Sequence, residues 1–452
     1  MDDLLLDPGI SSGAGGIAGF DLASLVAQLG DNPLYAMGWL IVHGGWVPLL
    51  WALLWGAREV WIDWRQSLYK KKLKYILLAI DVPRATEQTV KAVENMFAHF
   101  AGTHRPPNFV EKWWDGETQD TVTCELISIE GHIQFLIHTT EKMRDLIEAS
   151  IYAQYPDAEI TEVQDYTKSV PHHYPNETHD CWGCEFTPVK SDVYPLKTYE
   201  DFEHKLTGEF KDPLAVILEA LSRMGPGEQV WFQIVMTAID QGAFTKKAIK
   251  EIKKLTGQKE EVKHTMADAI LDAPVNALSM VGEAVFGGGG SGHDKKDDNP
   301  LNSRMWNVTP GERKVIESVE RKMSKIICKV KLRFLYIGPK QTFSKARVVG
   351  SFIGGLKQFN TNDAQALKPE SKHVGVSSGI LFFKKQRNNI RKNHLMHAYC
   401  KRSNWVGLDS FHMSAEELAT LWHLPVSLFV KAPQVKKTES KKSEPPINLP
   451  MG

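Results

Sequence analysis

Residues 151–166 read IYAQYPDAEITEVQDY. The run before them, EKMRDLIEAS (141–150), has helical spacing. After one proline, AEITEV (158–163) alternates as a strand does. Pro156 explains the abrupt change, since it cannot continue a helix and it disfavours the helical region for Tyr155. Working outward, YILLAIDV (75–82) is a strand-like apolar run, and TEQTVKAVENMFAHFAG (86–102) puts Val90, Val93, Met96, Phe97 and Phe100 on one helical face. TVTCELISIEG (121–131) and HIQFLIHTT (132–140) read as two strands joined at Glu130-Gly131. The order is β-α-β-β-α-β, which predicts a ferredoxin-like unit over 75–166.

The same order can be traced again over 178–370. Its parts are the strand CWGCEFTPV (181–189), the helix DPLAVILEALSRM (212–224), the strands EQVWFQIVMTAID (228–240) and SKIICKVKLRFLYIG (324–338), the helix QTFSKARVVGSFIGGLKQF (341–359) and a weak strand near Ala366–Lys368. An insertion over 241–323 separates its middle strands. That insertion holds a basic helix (244–255), an apolar-faced helix from Met266 to Val285, a Gly-rich linker (286–300) and a helix opened by Thr309, Pro310 and Glu312. A C-terminal helical segment is expected over 376–430, and a Lys-, Ser- and Pro-rich disordered tail over 431–452. The expected fold class is α+β: one transmembrane helix, two ferredoxin-like units with helical insertions, and the C-terminal helices.

The transmembrane expectation rests on LYAMGWLIVHGGWVPLLWALLWGA (34–57), which has no charged residue. About 20 apolar residues suffice to cross a bilayer as a helix. A flexible segment (1–33) carrying five aspartates and no Lys or Arg precedes it, and a basic juxtamembrane helix (58–74) follows. By the positive-inside rule the N-terminus lies outside the inner membrane and the bulk of the chain in the cytoplasm.

The 452 residues are balanced, with 54 basic and 54 acidic side chains. Bulk charge thus points to no particular partner, and local asymmetry carries that question. The helix at 380–402 has Lys384, Lys385, Arg387, Arg391 and Lys392 and no acid. These residues are candidates for contact with phosphate, either in DNA or in lipid headgroups. The five cysteines are not spaced as a secreted disulfide framework, which favours a reducing compartment. Cys181 and Cys184, with His173 and His179, form a candidate zinc set, because thiolate and imidazole are good zinc ligands. The competing reading is a polar loop running into a strand. GGGGSGHD (287–294) lacks the Lys and Ser/Thr of a phosphate loop, and no catalytic string occurs, so neither an enzyme nor a cofactor is expected.

A resemblance adds to this. GHIQFLI (131–137), YAQYPDAEI (152–160) with Asp165-Tyr166, LRFLYI (332–337), KQFN (357–360), SAEELATLWHLP (414–425) and SEPPINLP (443–450) occur in that order. The set resembles a bacterial family that lies beside, or fused ahead of, P-loop ATPases of the conjugative coupling-protein and type IV secretion class. The resemblance implies a membrane-anchored, non-enzymatic partner of a separate ATPase, because the ATPase of the fused members would begin near SEPPINLP. Leu418, Leu421, Trp422 and Pro425 are the expected docking residues for that partner, the competing reading being that Leu418, Leu421 and Trp422 pack on their own domain. DNA and a second copy of the chain are further expected partners, the latter through edges and faces of the sheets. A DNA-binding protein using the 380–402 helix is the alternative function.

Overall fold

The computed structural model describes residues 46–425 apart from 84–87, 103, 203–211, 257–308, 371 and 378–381. The expected segments 1–33 and 431–452, the apolar-faced helix and linker of the insertion, and the start of the 34–57 run lie outside the described residues. Two compact units result. The first contains α1 (Trp46–Lys72) and the segment Pro107–Glu117. The second contains all the strands and the remaining helices.

The second unit is built on one sheet. Its strands are β1 (Tyr75–Asp81), β2 (Thr121–Ile129), β3 (His132–Thr140), β4 (Glu159–Glu162), β5 (His179–Pro188), β6 (Gln229–Ala238), β7 (Ile327–Pro339), β8 (Leu367–Pro369) and β9 (Phe411–Ser414). The order is β4-β1-β3-β2-β6-β7-β5-β8, and every pairing is antiparallel. β9 extends the β5 side of β7, pairing Ile327 with Ser414 and Val330 with Phe411.

This architecture corrects the expected one. The α+β class stands, but the two separate ferredoxin-like units are replaced by one continuous nine-stranded sheet. The join is β2 against β6, in register from Thr121 opposite Thr237 to Ile129 opposite Gln229. The physical reason is visible in β2. TVTCELISI is buried along almost its whole length, and it has no proline, lysine or bulge with which to end a sheet. Left as an edge it would expose a row of unpaired backbone groups. The true ends are blunt: β4 has four residues, two of them glutamates, and β8 has three and ends on Pro369. Neither offers a long edge for adding a second copy.

The transmembrane helix is corrected too. Among the described residues no helix is long and apolar enough to cross a membrane. Of the expected span, residues 34–45 lie outside the described residues, and residues 46–57 form the uncharged first part of α1. From Arg58 onward α1 is charged, and it closes on Lys70, Lys71 and Lys72.

The helices are α2 (Val90–Ala101), α3 (Arg144–Tyr152), α4 (Ala215–Ser222), α5 (Gln241–Thr256), α6 (Pro310–Ser324), α7 (Lys345–Leu356), α8 (Lys384–Cys400) and α9 (Ala415–Leu421). Alternation along the strands splits the core between two faces. On β6, Phe232 meets Phe352 of α7 on one face, with ring centroids 5.3 Å apart. Its neighbour Trp231 meets Tyr399 of α8 at 5.3 Å and Tyr166 at 5.0 Å on the other. The opening stretch behaves as its residues dictate. α3 ends at Tyr152, Tyr155 is buried, and β4 begins at Glu159. The C-terminal segment is not all helical, because Phe411–Ser414 is a strand. Ser414 then caps α9, its hydroxyl accepting from the Glu417 N–H while the Glu417 carboxylate accepts from the Ser414 N–H.

Candidate functional site

The first unit presents the feature that packing least explains. Trp46, Leu49, Leu50, Trp51, Leu53, Leu54 and Trp55 of α1 are all exposed. Successive helical positions turn by 100°, so this end of the helix is apolar on every side. Below it Trp61 and Trp64 lie with ring centroids 5.4 Å apart. The segment Pro107–Glu117 joins them there. A single turn of π-helix, Glu111–Asp115, brings Trp114 edge-on to Trp61 at 6.1 Å and packs Trp113 on Phe109 at 5.3 Å. The Trp61 indole N–H donates to the Trp113 carbonyl at 3.1 Å, and the Tyr69 hydroxyl donates to Glu117 at 3.2 Å. Gly116 is essential to this approach. Its φ is +72°, and a Cβ there would lie 2.4 Å from the Arg65 backbone.

The result is a collar of exposed aromatic rings, Trp61, Trp64, Phe109 and Trp114, beneath an uncharged helix end. Arg58 and Arg65 lie over Trp113 and over Trp61 and Trp64 at 5.3–5.9 Å. Indole and guanidinium groups beside an apolar segment are the chemistry of a bilayer interface, where one end of each ring is dry and the other wet. Reading the sequence identified the tryptophans of α1 but missed the collar, since Trp113-Trp114 lies some fifty residues away. The adjacent Trp pair in a polar loop was the available signal.

The remaining candidates distribute differently. Leu418, Leu421 and Trp422 are fully buried, and Pro425 is half-buried. Trp422 packs edge-on against Phe97 and Phe135, and its indole N–H donates to the Glu125 carbonyl at 3.1 Å. These three side chains belong to the chain's own core and leave no surface for a partner. Cys181 and Cys184 are both buried, and their odd spacing on β5 sends them to opposite faces. Burial pushes the Cys181 thiol up to about 12 and raises Cys184 as well. His173 is exposed, and the His179 ring meets the Thr178 hydroxyl at 2.8 Å. Among the described residues no group of three or more His, Cys, Asp or Glu side chains is placed to hold a metal ion. Of the five basic candidates on α8, Lys392 pairs with Asp180 and Arg391 donates to the Gly375 and Ser377 carbonyls. Lys384 and Lys385 are exposed and Arg387 is half-buried, and none of the three meets an acidic partner among the described residues.

One buried titratable cluster lies among residues that sequence reading did not join. Register places Glu125, Gln233, Arg333 and Glu185 side by side across β2, β6, β7 and β5. Gln233 donates to Glu125 at 2.9 Å, and Arg333 donates to Glu185 at 2.7 Å and to the Ser403 and Val406 carbonyls. Arg402 donates to Glu125 at 3.0 Å and to Asp165 at 2.6 Å. The Tyr166 hydroxyl donates to Glu125 at 2.9 Å and meets the Tyr399 hydroxyl at the same distance. Gly407, at φ +100°, lets the loop press onto Glu185, whose oxygens a Cβ would meet at 2.3 Å. Buried charges are costly unless paired and hydrogen-bonded, and each of these is. The cluster clamps the 401–408 loop to the sheet.

Its acid dependence follows. Burial raises the Asp165 pKa, but hydrogen bonds and charge from Arg402, with the Thr167 N–H and hydroxyl, override that and hold it at about 2, against 3.8 unperturbed. A depressed carboxylate contributes stability that is present above its unfolded value and lost as pH falls through the folded one. Asp165 is partly exposed, so solvent screening reduces this contribution, and about 1 kcal/mol should disappear between pH 4 and pH 2. Urea unfolding of wild type and Asp165→Asn across that range measures it, and only the wild type should show this contribution.

Residues 82–437 match the family described as a domain of unknown function, DUF8128. The chain belongs to this family. The match begins within the sheet unit just after β1 and leaves out α1, whereas the 107–117 segment falls inside it. No match was found among curated proteins.

Proposed function

We propose that this DUF8128 member is a membrane-attached, non-enzymatic platform for a separate P-loop ATPase in a conjugation-like or type IV secretion-like translocation apparatus. The observation that carries the membrane part is the aromatic collar beneath the exposed apolar end of α1. Contiguous apolar surface of that kind marks an interaction site on a water-soluble surface, and lipid matches its ring of indoles and arginines. The attachment needs lipid contact by this helix end and its collar, and no crossing of the bilayer. The ATPase partnership comes from the resemblance of the ordered motifs. With Leu418, Leu421 and Trp422 committed to the core, docking falls to surface positions of the sheet unit.

Two measurements test this. Full-length protein should float with vesicles in a density gradient, and Trp114→Ser should weaken vesicle binding roughly tenfold, the value of moving one large exposed ring out of water. Protein that stays at the bottom of the gradient with every vesicle composition would sink the membrane reading. Crosslinking in native membranes followed by mass spectrometry should recover a P-loop ATPase. Recovery of nucleoid proteins alone would favour the DNA-binding alternative.

A further inference from the structure

α8 has an inner face that is fully committed and an outer face that is not. Inward, Leu395, Met396, Ala398 and Tyr399 lie in the core. Asn393 accepts from the Tyr174 N–H at 2.6 Å and donates to the Tyr174 carbonyl at 2.8 Å. With Lys392 paired to Asp180 and Arg391 tied to two loop carbonyls, the helix cannot roll to hide its other side.

Outward, its start carries three large apolar side chains in water: Phe382, Phe383 and Ile390 are 76%, 73% and 67% exposed. Arg387 and Ile390 are three residues apart on one side of the helix, and Phe383 caps its first turn. Lys384 and Lys385 flank the stripe, and the first turn has no acid. Phe383 is also held at φ 54°, in the left-handed region, which costs a non-glycine residue about 1–2 kcal/mol. Strain of this kind persists where the surroundings impose it, often at binding surfaces.

We infer that the outer face of α8 from Phe382 to Ile390 docks on an anionic lipid surface. Phe382, Phe383 and Ile390 enter the headgroup–acyl boundary, and Lys384, Lys385 and Arg387 meet lipid phosphates. Basic side chains near such a surface contribute about 1 kcal/mol each, and apolar ones add through burial. Nucleic acid offers the same phosphates, but bases reward flat rings, and the aliphatic Ile390 gains only from a medium without water. The inference rests on the membrane-attached reading. It adds a second contact, and tethering through the first would make a weak second contact effective.

The test labels full-length Gln386→Cys with an environment-sensitive fluorophore. Position 386 is exposed and lies on the stripe, whereas Cys124, Cys181, Cys184 and Cys328 are buried and Cys400 is half-buried. Wild type taken through the same labelling supplies the background. Emission should shift to the blue with phosphatidylglycerol-containing vesicles and not with pure phosphatidylcholine. The shift should disappear in Phe382→Ser/Phe383→Ser. Lys384→Glu/Lys385→Glu should raise the half-saturating lipid concentration about tenfold or more. Matching circular dichroism and thermal melts show that the variants fold. If the protein floats with the vesicles while the label stays unshifted, this inference falls and the attachment through α1 stands. If the label shifts although Trp114→Ser binds vesicles as wild type does, the α8 face stands and the collar does not. A label that responds to a single-stranded oligonucleotide and to no vesicle overturns the inference in favour of nucleic acid.

Discussion

Arg402→Met should lower the unfolding free energy by about 3–5 kcal/mol, because it strands two acids at once. Glu125 has no exposed surface, and two of its partners are the Nε and Nη2 groups of Arg402 at 3.0 and 3.3 Å. Asp165 loses Nη1 at 2.6 Å and Nη2 at 3.2 Å. Tyr166 and Gln233 can still donate to Glu125, but neither carries a positive charge. The loss differs from that of an exposed ion pair, which is worth about 1 kcal/mol or less. Urea unfolding at pH 7 measures it directly. A double-mutant cycle with Asp165→Asn should return part of the loss, since the second substitution removes one unpaired charge. A cost below about 1 kcal/mol would mean that the 401–408 loop is held by something other than this cluster.

Trp422→Ala should cost a similar amount, about 3–5 kcal/mol. The indole is fully buried between Phe97 of α2 and Phe135 of β3, so its removal leaves a cavity bounded by rigid rings. It also leaves the Glu125 carbonyl without the indole donor. Trp422→Phe should cost less, because it refills most of the volume and loses only the hydrogen bond. The pair of variants separates packing from partner binding. A docking residue would fold normally when truncated and lose only the partner. Near-wild-type stability of Trp422→Ala would contradict the buried position.

Much of the local structure was legible in the chain. Pro156 ends α3 and allows β4, and Thr309-Pro310 with Glu312 opens α6 by a capping box. The same reciprocal cap opens α9 at Ser414 and Glu417. Such features depend on residues within one or two turns of each other, so short stretches of sequence contain the whole cause. The strand runs were equally visible, because apolar alternation is a local property.

Which strands pair across the middle was not legible in the same way. TVTCELISI and QVWFQIVMTA each look like good strands. Their union into one sheet depends on residues 100 or more positions apart meeting in register. β2 held a sign of it, being nine residues long with no proline, lysine or bulge to protect an edge. The candidate sites divide similarly. The tryptophans of α1, the lysines of α8 and the residues of ELATLWHLP could be named from the sequence, but their exposure could not. The structure buried Leu418, Leu421 and Trp422, exposed Lys384 and Lys385, left Arg387 half-buried, and used Arg391 and Lys392 to hold α8 in place.

The sequence by itself determined most of the helices and strands, the caps of α6 and α9 and the uncharged stretch that leads into α1, because backbone preference and periodicity act over a few residues; β9 and the Glu111–Asp115 turn it did not reveal. Only the tertiary structure decided that the strands form one sheet, that Glu125, Gln233, Arg333 and Glu185 stand in a row, and that Trp114 joins Trp61 in a collar. Those outcomes depend on register and burial, which arise when distant segments exclude water from each other, and no short stretch of chain contains both partners.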